Sequence, residues 1–258
     1  MKVLDHGYCK LVETWGSDQA IIESARMSTD KGFLGWGPKC VACGRSYGDP
    51  EDPSPRTIPE AGCLCGSREQ GPGDEKLLRY LHENKHSTPF EFAGLTIEVQ
   101  APLMVFREWH RHRVPFGYSE QSARYVEMPE LFYVPSAERL SMGGQSKTNK
   151  QSSGAALPDN VVEETRMRID ATSRRAFAEY RAMIADGVAK ELARLVLPVN
   201  TYSRMRATGN LRGWLGFLTL RTAPGAQWEI RQYANVVGSL IAEKFPRTWA
   251  LFSERAGG

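Results

Sequence analysis

One stretch constrains the fold and chemistry of this chain more than any other. The apolar run from Ala101 to Phe106 leads straight into Arg107-Glu108-Trp109-His110-Arg111-His112-Arg113. After a short loop the chain continues as Ser119-Glu120-Gln121-Ser122-Ala123-Arg124-Tyr125. Four arginines, two histidines and two serines therefore fall close together at the end of a segment that is bound to be buried. Such a segment delivers guanidinium groups and hydroxyls to one place, which is what an anion site requires. Arginine presents five donors in a planar fork that fits phosphate or carboxylate. A solvated charged turn is the plain alternative. Trp109, Phe116, Tyr118 and Tyr125 interleave with the charges, and a solvated turn has no need of that aromatic surface, so the anion site is the preferred reading.

The chain has 258 residues, 41% hydrophobic and 24% charged, with a net charge of only +3. These are ordinary values for a globular protein. Bulk charge does not argue for a nucleic acid or a membrane as partner. No apolar run approaches the roughly 20 residues of a spanning helix, and Met1–Gly7 has no signal-peptide core. The expectation is a cytoplasmic protein. Four of the five cysteines, Cys40, Cys43, Cys63 and Cys65, cluster in a Gly-, Pro-, Ser- and Asp-rich insert spanning 31–73. Clustered cysteines in such a compartment point to metal rather than to disulfides. Cys40-Val41-Ala42-Cys43-Gly44 is like a zinc-ribbon knuckle, whereas Cys63-Leu64-Cys65 is one residue shorter. Four thiolates would hold one tetrahedral Zn²⁺ in a structural site with no open position for catalysis. The alternative is an insert with reduced thiols.

Local patterning predicts the elements. Residues 1–16 alternate like a strand or hairpin. Ser17-Asp18 caps a helix over 19–27, and a second helix runs over 74–84 with Leu77, Leu78 and Leu81 on one side. Pro89 stops that pattern. Residues 92–106 read as one long strand, with Leu95, Ile97 and Val99 alternating. Residues 128–135 are short and extended, and 142–155 form a polar linker. A long helix runs from about 160 to 185, with Met167, Ile169, Ala176, Tyr180 and Met183 as core candidates. Further helices cover 191–197 and 211–221, and a long amphipathic helix covers 227–245.

The chemistry is bounded by what is missing. There is no Ser-His-Asp or Cys-His arrangement, no P-loop and no Gly-x-Gly-x-x-Gly after a strand. What remains is arginines, hydroxyls, Glu120 and scattered histidines, joined by Arg194, Arg204, Arg206, Arg212 and Arg221 further along. That inventory suits flat phosphorylated ligands such as nucleotides, alongside a dinucleotide cofactor.

The same residues carry a resemblance. Arg111-His112-Arg113, eight residues, then Ser122-Ala123-Arg124-Tyr125 is similar to the signature of the flavin-dependent thymidylate synthase (ThyX) family, one residue longer between its halves. Ala25-Arg26-Met27-Ser28, His86 to Glu91, Ala193 to Pro198, Phe217 to Arg221 and Ala226 to Ile230 match further blocks in the family's order. The resemblance implies an α/β (α+β) fold, a single catalytic domain over 1–258 with an antiparallel or mixed sheet flanked by long helices. It also implies an obligate homotetramer with active sites made from several subunits. The implied reaction is methylation at C5 of a uridine monophosphate. Methylenetetrahydrofolate gives the carbon, FAD carries the hydride, and NADPH reduces the flavin, without a cysteine nucleophile.

The resemblance also implies roles. Ser122, Ala123, Arg124 and Arg194 hold the nucleotide, and Arg221 faces the pyrimidine and stabilises developing charge. Arg111, His112 and Arg113 contact FAD, with Ser28, Thr88, Glu120, Asn210 and Arg212. His86 lies near flavin and folate, and Arg111 and Glu108 adjoin the substrate. Three positions depart from the family pattern: Glu108 replaces a usual Gln, and Gly216 and Gly225 stand where a flavin-contacting Asn and His are common. Val114 to Tyr118 also lengthens the loop over the site. Branches of the family that serve nucleoside-antibiotic pathways methylate UMP as well as dUMP, so relaxed choice between the two is expected here. Two alternatives stay open: hydroxymethylation of the same nucleotide, and a nucleotide- or RNA-binding module without catalysis.

Overall fold

The computed structural model describes residues 1–42, 70–144 and 156–256. Its strands are β1 (Lys2–Val3), β2 (Gly7–Trp15), β3 (Lys39–Cys40), β4 (Gln70–Gly71), β5 (Gly94–Pro102), β6 (Gly117–Glu120) and β7 (Tyr202–Asn210). Its helices are α1 (Asp18–Arg26), α2 (Asp74–Glu83), α3 (Leu103–Trp109), α4 (Ala137–Ser141), α5 (Asp159–Ala185), α6 (Lys190–Ala193), α7 (Leu211–Arg221), α8 (Trp228–Lys244) and α9 (Pro246–Ala256). The expected mixture of a sheet and long helices is present. The chain divides into two compact units: Met1–Glu13, Thr96–Gly209 and Gly216–Ser239 form the first, and Thr14–Leu95, Asn210–Leu215 and Leu240–Gly258 the second.

The first unit holds most of a five-stranded sheet in the order β1-β2-β5-β7-β6. β1 pairs antiparallel with β2, and β6 with β7, placing Ser119 opposite Arg206 and Glu120 opposite Met205. The expected strand over 92–106 is shorter than patterning suggested: it ends at Pro102, and 103–109 is helical. Proline has no N–H to continue the ladder. The burial of Val105, Phe106 and Trp109 follows helical rather than alternating spacing. The first amides of α3 are satisfied from outside the helix, Leu103 N–H by the Thr201 carbonyl and Met104 N–H by the Val199 carbonyl, both at 2.9 Å. β7 was not expected as a strand. Its buried positions alternate through Ser203, Met205, Ala207 and Gly209, but Ser and Gly hide that period from a hydrophobicity reading.

α5 begins one residue before the expected start and ends where expected. Its core face is Val162, Ser173, Phe177 and Tyr180, whereas Met167 is exposed. Phe177 and Tyr180 join Met128, Phe132 and Ala193 in a separate apolar cluster, and the Tyr180 hydroxyl accepts the Met128 N–H at 3.0 Å. The helix expected over 191–197 is only α6 followed by a 3-10 turn over Arg194–Val196.

The second unit packs Ile21, Ile22, Leu78, Leu81, Phe90, Trp214, Ile241 and Phe245 in its buried set. Ser17 caps α1 as expected, accepting the Ala20 N–H at 3.1 Å. Two buried carboxylates organise it. Asp18 takes the Arg247 and Thr248 amides at the start of α9, which lies beyond the last helix expected. Asp74 is fully buried and pairs with Arg26, while its other oxygen accepts the Leu34 N–H at 2.6 Å. The described ends of the insert close on each other through the β3–β4 ladder, Lys39 opposite Gly71 and Cys40 opposite Gln70. Cys40 is buried. Cys43, Cys63 and Cys65, and the linker expected over 142–155 apart from its first three residues, lie outside the described residues.

Candidate active site

In the first unit the expected site residues gather into two clusters. The first centres on Arg221, the last residue of α7. Its Nε–H donates to His112 Nε2 at 2.9 Å, across 109 residues of sequence. Nη1 donates to the Glu108 carboxylate at 2.5 Å and Nη2 to the Glu108 backbone carbonyl at 2.9 Å. The guanidinium therefore caps the C-terminal turn of α3, where carbonyls lack helical partners and the helix dipole favours a cation. Burial, and then the Arg221 charge, push the His112 imidazole down to about 4, against an opposing pull from Glu108. The ring is thus neutral at ordinary pH and free to accept through Nε2. Glu108, expected beside the substrate, meets Arg221, the residue expected to face the pyrimidine.

Aromatic rings hold this cluster in place. Trp109 is buried against Phe217 with centroids 4.8 Å apart, and Phe217 meets the His112 ring edge-on at 4.9 Å. The lengthened loop is folded onto the same group. Phe116 stacks on Tyr118 at 5.8 Å, and the Tyr118 hydroxyl donates to the His112 carbonyl at 2.5 Å. Burial raises the Tyr118 phenol well above its usual range, which keeps it a donor. Arg111 and Arg113 flank His112 and are exposed.

The second cluster joins Ser122, Arg124 and Arg194. Ser122 organises a turn: its hydroxyl accepts the Arg124 N–H at 3.3 Å, and its carbonyl accepts the Tyr125 and Val126 amides. Arg124 Nε pairs with the Glu191 carboxylate at 3.1 Å, and Arg194 Nε donates to the Glu191 carbonyl at 3.4 Å. Glu191 was missed in the sequence. The one local signal was its place three residues before Arg194, one helical turn away. Ala123 packs on the apolar cluster under the turn, and Glu120 sits exposed on β6.

The remaining candidates belong to the second unit. Asn210 caps α7, its side-chain oxygen accepting the Gly213 N–H at 3.0 Å. Arg212 pairs with Glu91 at 2.5 Å. Ser28 donates to the Ala25 carbonyl, His86 is exposed with its ring edge-on to Tyr80 at 5.5 Å, and Thr88 opens the 3-10 turn ending at Phe92.

Comparison with known proteins gives this geometry a family. Residues 10–247 match the family model described as thymidylate synthase complementing protein. The chain is 36% identical over 252 residues to a flavin-dependent thymidylate synthase of Thermus thermophilus, covering 98% of this chain and 77% of that protein. It is 32% identical over 251 residues to the enzyme of the same description from Thermosipho africanus, covering 97% and 92%. Among solved structures it is similar to the UMP/dUMP methylase PolB of Streptomyces cacaoi bound with 5-Br dUMP. The TM-score is 0.75 at 29% identity, covering 98% of this chain and 97% of that one. On these matches and the geometry that accompanies them, the chain belongs to the flavin-dependent thymidylate synthase family.

Proposed function

We propose that this enzyme methylates C5 of a uridine monophosphate nucleotide, dUMP or UMP, with a flavin cofactor, methylenetetrahydrofolate as carbon donor and NADPH as reductant. The observation that carries the reading is the bond between His112, at the centre of the signature, and Arg221, at the end of a distant block of the family's pattern. It fixes a guanidinium beside the exposed pair Arg111 and Arg113. The relatives' description as flavin-dependent thymidylate synthases and the nucleotide held by PolB support it.

The residues present fit an anionic dinucleotide cofactor. Arg111 and Arg113 offer exposed guanidinium forks that suit its pyrophosphate, and Ser28, Thr88, Glu120, Asn210 and Arg212 are the further contacts the resemblance names. FAD supplies the hydride that reduces the transferred carbon to a methyl group. Ser122, Arg124 and Arg194 hold the nucleotide phosphate. To do so Arg124 exchanges Glu191 for the phosphate. That costs little, because both side chains of the pair are exposed and such pairs contribute at most about 1 kcal/mol. Arg221 faces the pyrimidine and stabilises charge developing on it. His86 serves near flavin and folate. The enzyme works as a homotetramer, and Cys40, Cys43, Cys63 and Cys65 hold a structural Zn²⁺.

The test is incubation with dUMP or UMP, methylenetetrahydrofolate, FAD and NADPH, and weighing of the product. The expected product is heavier than the substrate by CH₂. A gain of CH₂O would replace methylation by hydroxymethylation, and no transfer from a yellow, folded preparation would reject the reading. Both nucleotides should turn over; a preference for dUMP of roughly a thousandfold, beyond what a site without a dedicated hydroxyl contact achieves, would remove UMP from the proposal. Metal analysis of the same preparation should find zinc.

A further inference from the structure

The resemblance puts Glu108 beside the substrate, yet a carboxylate repels a nucleotide phosphate. Its geometry supplies a different role. Glu108 holds Arg221 at two points, carboxylate to Nη1 and backbone carbonyl to Nη2, while His112 takes Nε. All three guanidinium nitrogens are engaged. Of five N–H groups, three are used among the described residues, which leaves one on each terminal nitrogen. Arg221 is 15% exposed and Glu108 38%, so the pair is partly shielded from water yet open on one side. A free arginine side chain has much rotamer freedom to lose; here that ordering is complete before any ligand arrives. The charge is also matched in advance. Among the described residues Glu108 is the one carboxylate bonded to Arg221, and His112, Phe217 and Phe116 around it contribute no charge at neutral pH.

We propose that Glu108 is a positioning residue: it clamps the Arg221 guanidinium against His112 so that the two remaining N–H groups are pre-oriented for the carbonyl oxygens of a pyrimidine base. This rests on the reading that Arg221 faces the base. Preorganised donors aimed at developing charge act without reorganising during the reaction. Because Glu108 already balances the guanidinium, the site offers directed hydrogen bonds rather than bulk positive charge. That suits a neutral ring that acquires charge only as it reacts. The amide of a glutamine at this position would still accept from Nη1 but would leave the cation unbalanced.

The clamp is tested without cofactor or substrate, by phenylglyoxal modification of Arg221 followed by peptide mass spectrometry. Glu108→Ala should be modified at Arg221 about tenfold faster than wild type, and Glu108→Gln less than about threefold faster, because its side chain still accepts a hydrogen bond. In turnover, Glu108→Ala should lower kcat about 30-fold with nucleotide KM unchanged, and Glu108→Gln should recover kcat to within about threefold of wild type, the signature of an interaction realised in the transition state. If Glu108→Ala does not fold, Glu108→Asp, which keeps the charge but shortens the reach, supplies the contrast in modification rate. Equal modification of Arg221 in wild type and in the Ala or Asp variant overturns the proposal, as does a Gln variant as impaired as Ala. If wild type makes no methylated nucleotide, the methylation reading fails by itself and the modification rates still decide the clamp.

Discussion

Arg124 and Arg221 are both paired with carboxylates, and burial separates what the two pairs do. Arg124 and Glu191 are both more than half exposed, so water screens their attraction and a phosphate can replace the acid. Arg221 and Glu108 are better shielded and share the cluster with His112, so that pair holds a shape. The Arg-His-Arg signature includes His112 but could not show its contact with Arg221, because local patterning carries no information across 109 residues. His112 makes the arrangement measurable. Its folded-state value of about 4 lies below the ordinary 6.5. As pH falls from 6.5 toward 4, the unfolded chain binds the proton and the folded one does not, so stability declines through that window and levels off below it. Urea unfolding of wild type and His112→Gln across this range should show a steeper acid-side loss for wild type. Parallel curves would mean that His112 is not held neutral.

At the scale of elements, the sequence was most legible where apolar side chains mark a period and least where they do not. α2, α5 and α7 fell close to their expected bounds because pairs such as Leu78 and Leu81, Phe177 and Tyr180, and Trp214 and Phe217 recur at helical spacing. The run through Pro102 reads as one strand because apolar residues lie on both sides of the proline, and only the lost N–H marks the change from β5 to α3. β7 escaped because its inward positions include Ser203 and Gly209. Gly209 has its own reason: a Cβ there would come within 2.8 Å of the Phe116 ring, which stacks on Tyr118 in the lengthened loop. Gly209→Ala should therefore displace that ring and destabilise the protein by about 1–3 kcal/mol. Gly216, in the interior of α7 and exposed, has nothing within 4 Å of its Cβ position. Gly216→Ala should stabilise by about 0.5–1 kcal/mol through helix propensity alone. Urea midpoints moving in opposite directions would confirm the contrast; shifts of the same sign would refute the assigned packing of Phe116.

At the scale of the whole molecule, composition excluded little and located nothing. An ordinary balance of charge and apolar residues is compatible with a monomer or an assembly, and only exposure distinguishes where apolar surface has no partner within the chain. In the first unit, Leu192, Leu195, Val196 and Val199 are 56%, 77%, 41% and 61% exposed within eight residues. Isolated exposed aliphatics are common, but such a concentration is what the proposed homotetramer would cover. It also surrounds Arg194, a proposed phosphate ligand, so the homotetramer and the nucleotide site would share this turn. Placing a charge at its most exposed member then has a defined consequence. Leu195→Glu leaves the protomer's own packing intact, because the side chain is already in water, but a buried unpaired carboxylate is costly in an interface. Light scattering of the purified variant should give a smaller assembly than wild type, with an unchanged circular dichroism spectrum and weakened nucleotide binding. A variant that keeps the wild-type mass would show that this turn lies outside the subunit contacts, and the exposed leucines would need another partner.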